Sequence, residues 1–115
     1  MRSRLSKILL GVLIASTLLY AACEKTTISR INNDPDRFRG KEVGITGTVT
    51  DSYGVPFVGG AYEVDDGTGR IWVVSKSGAP RKGSRVGAKG RVHSGLTFGS
   101  RSFGTVIEES DRRVK

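Results

Sequence analysis

The stretch VDDGTGRIWVV, from Val64 to Val74, reads as the end of one β-strand, a tight turn and the start of a second strand. Asp66-Gly67, with Gly69 two residues later, is typical of a hairpin turn, because such turns need positive φ angles that glycine adopts at little cost. Nothing in the stretch resembles a catalytic group. The stretch from Val64 to Val74 therefore predicts a β-hairpin, and Trp72 is its largest side chain.

Short runs of alternating apolar residues continue on both sides of this hairpin. Fifteen of the 16 glycines lie between Gly40 and Gly104, and no window there keeps apolar residues at helical spacing. Short strands divided by turn residues are typical of a small all-β sandwich or barrel. Gly44 and Gly47 suit a first strand that coils strongly or bends around a barrel corner. The five predicted strands cover residues 41–51, 61–66, 70–75, 85–93 and 103–109.

The segment before the first strand carries Ile28 and Ile31, whose spacing of three matches one face of a short helix. Asp34-Pro35 ends this pattern, because a residue before proline is pushed out of the helical region. We expect a tether with one short helix or turn, and we expect Phe38 to pack on the barrel.

The first 22 residues have the layout of an export signal. Three basic residues precede an apolar run, and the small residues Ala21-Ala22 follow it. The apolar stretch from Ile8 to Ala22 is shorter than the roughly 20 residues that a membrane-spanning helix needs. The basic residues are Arg2, Arg4 and Lys7.

The only cysteine, Cys23, directly follows Ala21-Ala22. Here the chain resembles bacterial lipoprotein precursors, whose signal ends in two small residues and the cysteine that is lipidated. The resemblance implies cleavage before Cys23, acylation (palmitate) of its side chain, and a membrane-anchored protein of the bacterial cell envelope that faces the periplasm or the exterior. The alternative is an uncleaved anchor with an incidental cysteine.

The mature chain, from Cys23 to Lys115, keeps a positive charge. It has 16 of the 19 Lys and Arg residues against 11 Asp and Glu. Such a charge favours anionic surfaces in general, including lipid headgroups, acidic glycans and nucleic acid. A chain of this size has a thin core, which disfavours a large buried catalytic cavity.

From Ile28 to Glu109 the chain resembles the oligonucleotide/oligosaccharide-binding fold (OB-fold). The matching strings are I-x-x-I, P-x-x-F-x-G-K-x-V-x-I-T-G-T-V, Y-x-V-D-D-G-T-G-x-I-W-V and P-x-x-G-x-x-V-x-x-x-G-x-V. The resemblance implies a five-stranded barrel with a helix between its third and fourth strands. The segment from Lys76 to Ser84 is too short for that helix, so either it is missing or the Ile28–Ile31 segment closes the barrel instead.

The predicted organisation is therefore a signal peptide (1–22), a lipidated tether with a short helix or turn (23–40), an OB-fold-like barrel (41–109) and a polar tail (110–115). Catalysis has little support, because His93 is the only histidine and no nucleophile–base arrangement can be assembled. We expect no metal and no cofactor. The pair Asp65-Asp66 is explained by the turn and lacks the spacing of a calcium loop.

Basic residues are concentrated in one part of the chain. Eight of them lie between Arg70 and Arg101 without any acidic residue. They are either an anion-binding stripe or charged protection of exposed strand edges. Arg85, Lys89 and Arg91 share one face of the fourth predicted strand, opposite to the face that carries its apolar residues. The basic candidates for ligand binding are Arg70, Lys76, Arg81, Lys82, Arg85, Lys89 and Arg91.

Aromatic residues are the second half of a nucleic-acid-binding pattern, because bases stack on them. In OB-folds the face of strands 2 and 3, with the loops after strands 1 and 4, is the usual binding surface. The loop after strand 1 carries Tyr53 and Phe57, and the loop after strand 4 carries Phe98. If Ile71 and Val73 belong to the core, Trp72 faces outward. The alternative is that Trp72 packs inward and Ile71 is exposed. The aromatic candidates are Tyr53, Phe57, Tyr62 and Trp72, followed by Phe98 and Phe103.

These features predict a lipid-anchored cell-envelope OB-fold protein that acts as a binding or adaptor module without catalysis. The expected partners are the membrane, through the lipid on Cys23, and an envelope protein or anionic polymer. The alternative is a protein that binds single-stranded nucleic acid. A third hypothesis is an accessory subunit of an enzyme, binding acidic glycans or envelope proteins.

Overall fold

The computed structural model describes residues 24–95, 97–98, 101–102 and 104–115, which form a closed five-stranded β-barrel with two short helices. The prediction of an all-β, OB-fold-like barrel is therefore confirmed. The elements are β1 (Glu24–Lys25), α1 (Ile28–Asn33), α2 (Pro35–Phe38), β2 (Glu42–Val55), β3 (Gly59–Asp65), β4 (Arg70–Ser75), β5 (Arg85–Ser94), β6 (Thr97–Phe98), β7 (Arg101–Ser102) and β8 (Thr105–Val114).

The barrel closes in the order β2, β3, β4, β8, β5 and back to β2. Only the β4–β8 contact within this ring is parallel, and the other four are antiparallel. In this arrangement the third and fifth strands of the barrel are neighbours. The short strand β1 pairs in parallel with the start of β2, and β6 and β7 form a separate two-stranded sheet.

The barrel interior holds one apolar core. Val and Ile side chains from all five barrel strands meet there because every second residue of a strand points to the same side. Ile28 and Ile31 of α1 complete the core, and Phe38 of α2 packs on the barrel as predicted. The buried members are Ile28, Ile31, Phe38, Val43, Ile45, Val49, Tyr62, Val64, Ile71, Val73, Val86, Ala88, Val92 and Ile107.

Strand β2 changes partners along its 14 residues. Its first half pairs with β5 and its second half with β3. Gly47 lies at the crossing, where an added Cβ would stand 2.4 Å from the carbonyl oxygen of Asp65. A side chain is excluded at Gly47 because the backbone of β3 approaches so closely, which explains the glycine inside this strand.

Helix α1 lies beside the β3–β4 turn at one end of the barrel. The amide of Ile28 donates to the Asp66 carboxylate (2.9 Å), and the amide of Ser29 donates to the Thr68 hydroxyl (3.2 Å). The Asn32 side chain donates to the carbonyl of Arg70 at 2.8 Å. The turn that joins β3 to β4 therefore also holds helix α1 in place.

The segment of residues 76–84 crosses the opposite end of β3 and contains no helix. The Ser52 hydroxyl donates to the carbonyl of Pro80 (2.7 Å), and Arg112 donates to the carbonyl of Gly78 (2.6 Å). An added Cβ on Gly60 would stand 2.7 Å from the amide of Ala79. The helix between the third and fourth barrel strands is thus absent, and α1 closes the other end of the barrel.

Three predicted boundaries need correction. Residues 52–60, predicted as a loop, instead continue β2 to Val55 and begin β3 at Gly59, so both strands form a long hairpin. The predicted polar tail is mostly strand, since β8 runs to Val114 along β5. The loop after β5 contains the paired strands β6 and β7.

Candidate binding surfaces

The outer surface of β3 and β4 carries a second apolar cluster, separate from the barrel core. Ala61, Val74 and Val106 are buried in it, and Tyr53 and Trp72 are half-buried against it. Strand register brings these residues together, because Tyr53 lies opposite Ala61 and Trp72 lies opposite Val106. We name these five residues the aromatic face. Trp72 therefore lies outside the barrel core, in accordance with the parity of its strand.

The turn between β2 and β3 forms an apolar hairpin tip, Pro56–Val58. The Phe57 side chain is fully exposed (110%) and Val58 is 46% exposed. Phe57 also has a φ of 64°. Proline followed by a positive φ matches a type II turn, in which glycine or asparagine is preferred at the second position. A phenylalanine there is held in an unfavourable backbone conformation without burying its ring.

Carboxylates dominate the polar residues around the aromatic face. Arg70 lies 3.2 Å from the Asp65 carboxylate and 3.7 Å from that of Glu63. Asp51 pairs with Glu63 across the strands, and Glu108 pairs with Val74. Glu108 also lies 3.1 Å from the His93 imidazole. Because the Arg70 guanidinium is paired with carboxylates, acidic groups exceed free guanidinium groups around the aromatic face, which disfavours binding of a polyanion.

Apart from Arg70 and Lys76, the predicted basic stripe lies elsewhere on the barrel. Arg85, Lys89 and Arg91 are exposed on β5, on the outer face, as strand parity predicts. Strand β8 separates β5 from β4 in the barrel. The other basic candidates, Lys76, Arg81 and Lys82, are exposed on the segment that crosses the barrel end. Most of the basic candidates therefore lie away from the aromatic face. Of the two near it, Arg70 is paired with carboxylates, and Lys76 lines a pocket together with Val74 and Glu108.

A groove crosses β1, β2, β5 and β8 on the outer surface. Its volume is about 360 Å³, and we name it the basic groove. Lys25 pairs across to Gly44 and Gly44 pairs with Lys89, while Gly87 pairs with Arg113. The two glycines leave the floor without side chains between the basic residues. The lining residues are Lys25, Gly44, Ile45, Thr46, Gly87, Ala88, Lys89, Asp111, Arg112 and Arg113.

Four cations line the groove, and only Lys89 among them is a candidate on sequence grounds; Arg112 is engaged by Glu109 and by the carbonyl of Gly78. The sequence predicts a tether at Lys25 and a polar tail at Arg113, whereas in the structure both residues lie on strands of the sheet. The sequence gives little indication that Lys25 and Arg113 lie on strands, because neither segment shows alternating apolar residues. None of the salt bridges found among the described residues includes Lys25, Lys89 or Arg113.

Tyr62, a surface candidate on sequence grounds, is instead fully buried in the barrel core. Its hydroxyl donates to the Glu109 carboxylate, which also accepts a hydrogen bond from Ser75 (2.6 Å) and lies 3.5 Å from Arg112. Burial raises the pKa of Tyr62, and the hydrogen bond and charge of Glu109 raise it further. These groups satisfy one another's hydrogen-bonding capacity. We therefore interpret them as a polar cluster that closes the end of the barrel crossed by residues 76–84.

Several expectations fall on other parts of the chain. Cys23 and Phe103 lie outside the described residues, and Phe98 belongs to β6. Within the described ranges, no three His, Cys, Asp or Glu side chains form a group that could hold a metal ion. None of the helices in these ranges is long and apolar enough to cross a membrane. No protein-family model matches the chain, and no curated protein matches its sequence.

Proposed function

We propose that the protein is a lipid-anchored, non-catalytic binding module of the bacterial cell envelope, which holds a partner protein against its aromatic face and hairpin tip. The observation that carries this proposal is Phe57, which is fully exposed at a positive φ. A bulky residue in this conformation costs folding free energy of about 1 kcal/mol or more. Since Phe57 buries nothing within the described residues, its ring is more useful to a partner than to the fold.

The chemistry of the surface favours a polypeptide as the partner. Aromatic residues that pack into a partner, surrounded by polar groups, are typical of protein interfaces. Tyr53 lies on β2, which leads to the hairpin tip, and Trp72 lies on β4, which pairs with β3, the other strand of that hairpin. Three carboxylates surround the face, and they complement Lys or Arg side chains of a partner in addition to their own contacts, Glu63 with Arg70 and Glu108 with His93. They are those of Asp51, Glu63 and Glu108. The partner is thus a polypeptide surface with apolar residues beside basic ones.

Binding of single-stranded nucleic acid is the competing function. The OB-fold-like barrel and the positive charge of the mature chain, with 16 Lys and Arg against 11 Asp and Glu, favour it. However, nucleic-acid binding needs stacking groups and phosphate-binding cations on one surface, and here Trp72 has carboxylates around it. A steep fall of oligonucleotide affinity with salt, removed by substitution of Trp72, would favour this function over ours.

The membrane anchor rests on the sequence features around Cys23. Intact-mass analysis of protein extracted from membranes should give a chain that begins at acylated Cys23. A chain that still begins at Met1, or a free thiol at Cys23, contradicts the anchor while leaving the proposed partner surface open to its own test.

The partner surface is tested by capture from membranes with the full chain. The Phe57→Asn and Trp72→Ala variants should lose a protein that the wild-type chain retains, and affinity for the purified partner should fall at least about tenfold. Lys82→Gln, on another surface, is the matched control. Capture that is equal for all four proteins contradicts the proposal, as does competition by an oligonucleotide.

A further inference from the structure

The basic groove lies beside the residue that we propose to be lipidated, and this inference rests on that part of the proposed function. Cys23 is two residues before Lys25, so their Cα atoms are within about 7 Å of each other. Lys25 already belongs to β1, which pairs with β2 of the barrel. No flexible linker of useful length remains between the lipid and the sheet. The surface around β1 must therefore lie close to the headgroups of the membrane.

The side chains around β1 are those of the basic groove. Lys25 and Lys89 lie on either side of Gly44, two strand spacings or about 10 Å apart. Arg113 lies opposite Gly87, next to them along β5 and β8. All three cations are exposed. These three cations form no salt bridge with any described residue, and a gap of this width between them can admit a phosphate group.

Charge on this surface favours an anionic lipid over a protein partner. Asp111 is the one carboxylate in the groove lining; it lies opposite Lys89 and accepts a hydrogen bond from the amide of Arg112 (2.9 Å). Arg85 is exposed further along β5, with its guanidinium donating to the Thr48 hydroxyl at 3.2 Å. The cations therefore outnumber the carboxylate, and basic clusters of this kind are attracted to anionic bilayers.

We propose that the basic groove binds the phosphate of anionic phospholipids and fixes the orientation of the anchored barrel. The groove then faces the membrane, and Arg113 and Lys89 contact headgroups beside the acylated N-terminus. The lipid on Cys23 provides attachment, while the groove decides which side of the barrel faces the bilayer. A lipid chain with a basic patch is a combination known to strengthen membrane association.

The test follows the reactivity of native lysines in the full chain, purified from membranes and reconstituted in vesicles. One preparation is neutral phosphatidylcholine, and the other contains about one third phosphatidylglycerol, which creates a negative surface potential. An amine-acylating reagent is applied, and modification is read by mass spectrometry. Lys25 and Lys89 report on the groove, and Lys76 and Lys82 serve as controls within the same molecule.

We expect Lys25 and Lys89 to react at least about threefold more slowly in anionic than in neutral vesicles, and to recover in high salt because screening weakens the attraction. Lys76 and Lys82 should react equally in both. In the Lys89→Gln/Arg113→Gln variant, Lys25 should regain its reactivity, whereas Lys76→Gln/Lys82→Gln should leave Lys25 protected.

Flotation of the same vesicles separates failure of the groove from failure of the anchor. A chain that floats with neutral vesicles but whose Lys25 and Lys89 react like Lys76 overturns the groove and keeps the anchor. A chain that floats only with anionic vesicles, with Lys89 protected, supports the groove and removes the anchor. Flotation with neither overturns both. Equal protection by inorganic phosphate in detergent would assign the groove to a soluble ligand and overturn membrane docking.

Discussion

The carboxylate of Asp66 accepts a hydrogen bond from the backbone N–H of Ile28 across 2.9 Å, and so caps a helix 38 residues earlier in the chain. The helix lacks a cap of its own, because the side chain of Thr27 makes no capping hydrogen bond. Asp66 also accepts from the amide of Thr68 at 2.9 Å. One carboxylate therefore shapes the hairpin turn and attaches α1 to it.

Replacement of this cap should destabilise the protein. We expect Asp66→Ala to lower the free energy of unfolding by about 1–2 kcal/mol, the usual range for loss of a helix cap. Thermal or denaturant unfolding measures the change. Asp36→Asn is the control, because Asp36 forms an exposed ion pair with Arg39 (2.6 Å) that should contribute little. An equal effect of the two substitutions would contradict the capping role.

The same residue predicts a dependence on pH. Burial raises the pKa of Asp66, but hydrogen bonds from Thr68, Ile28 and Gly69 outweigh it and hold the pKa below its usual value. The unfolded state therefore binds a proton more readily, so Asp66 stabilises the fold above about pH 4 and loses this contribution as pH falls further. The stability difference between wild type and Asp66→Ala should shrink from pH 5 to pH 2; a constant difference would contradict this.

Alanine substitutions at Gly47 and Gly87 give a matched comparison that tests the close approach of β2 and β3 in the closed barrel. An alanine Cβ at Gly47 would meet the Asp65 carbonyl oxygen at 2.4 Å, whereas at Gly87 its nearest neighbour is the Thr46 hydroxyl at 3.9 Å. We expect Gly47→Ala to destabilise by about 1–3 kcal/mol, as overpacking does. Gly87→Ala should stay within about 0.5 kcal/mol of wild type. Equal stabilities in denaturant unfolding would place the β2 crossing elsewhere.

The buried cluster around Glu109 should be stabilising as a unit. Glu109→Ala leaves Arg112, Tyr62 and Ser75 without their common partner, and we expect a loss of about 3–5 kcal/mol. Tyr62→Phe removes one hydrogen bond and should cost about 1–2 kcal/mol. Because the pKa of Tyr62 is raised, folding keeps the phenol neutral, and this contribution is lost as pH rises above about 10.

Alkaline titration checks the state of this phenol. The tyrosinate absorbance of folded wild type and of Tyr62→Phe should rise equally until the protein unfolds. A larger rise in the wild type before unfolding would mean that Tyr62 ionises in the native barrel.

Local sequence chemistry was sufficient to predict the central hairpin. Strand β4 has the predicted bounds, and Gly67 has the expected positive φ of 88°. Turn residues act on their immediate neighbours, which is why such features can be predicted from one sequence. The second half of β8 is polar and became a strand only because β5 offers a long edge to pair with.

The surfaces were harder to predict than the strands. Barrel closure places Lys25 and Arg113 near Lys89, although 88 positions separate the first two in the chain. It also places acidic residues around Trp72, while the cations of β5 lie across β8. Tyr62 alternates with outward residues, and nothing local indicates that its hydroxyl would meet Glu109. These relationships depend on contacts between distant segments.

Phe57 offers a test that separates stability from binding. Asparagine tolerates a positive φ better than phenylalanine does, so Phe57→Asn should unfold with a free energy equal to wild type or higher by up to about 1 kcal/mol. Its partner binding should nevertheless be lost. Lower stability together with intact binding would show that the ring serves the fold.

Site-specific photocrosslinking in native membranes tests the central claim most directly. A photoreactive phenylalanine analogue is placed at Phe57 in one protein and at Lys89 in a second, both in the full chain. The account predicts protein adducts from position 57 and lipid adducts from position 89, because the aromatic face meets the partner and the basic groove meets the membrane. Protein adducts from position 89, with only lipid or no adducts from position 57, would contradict it.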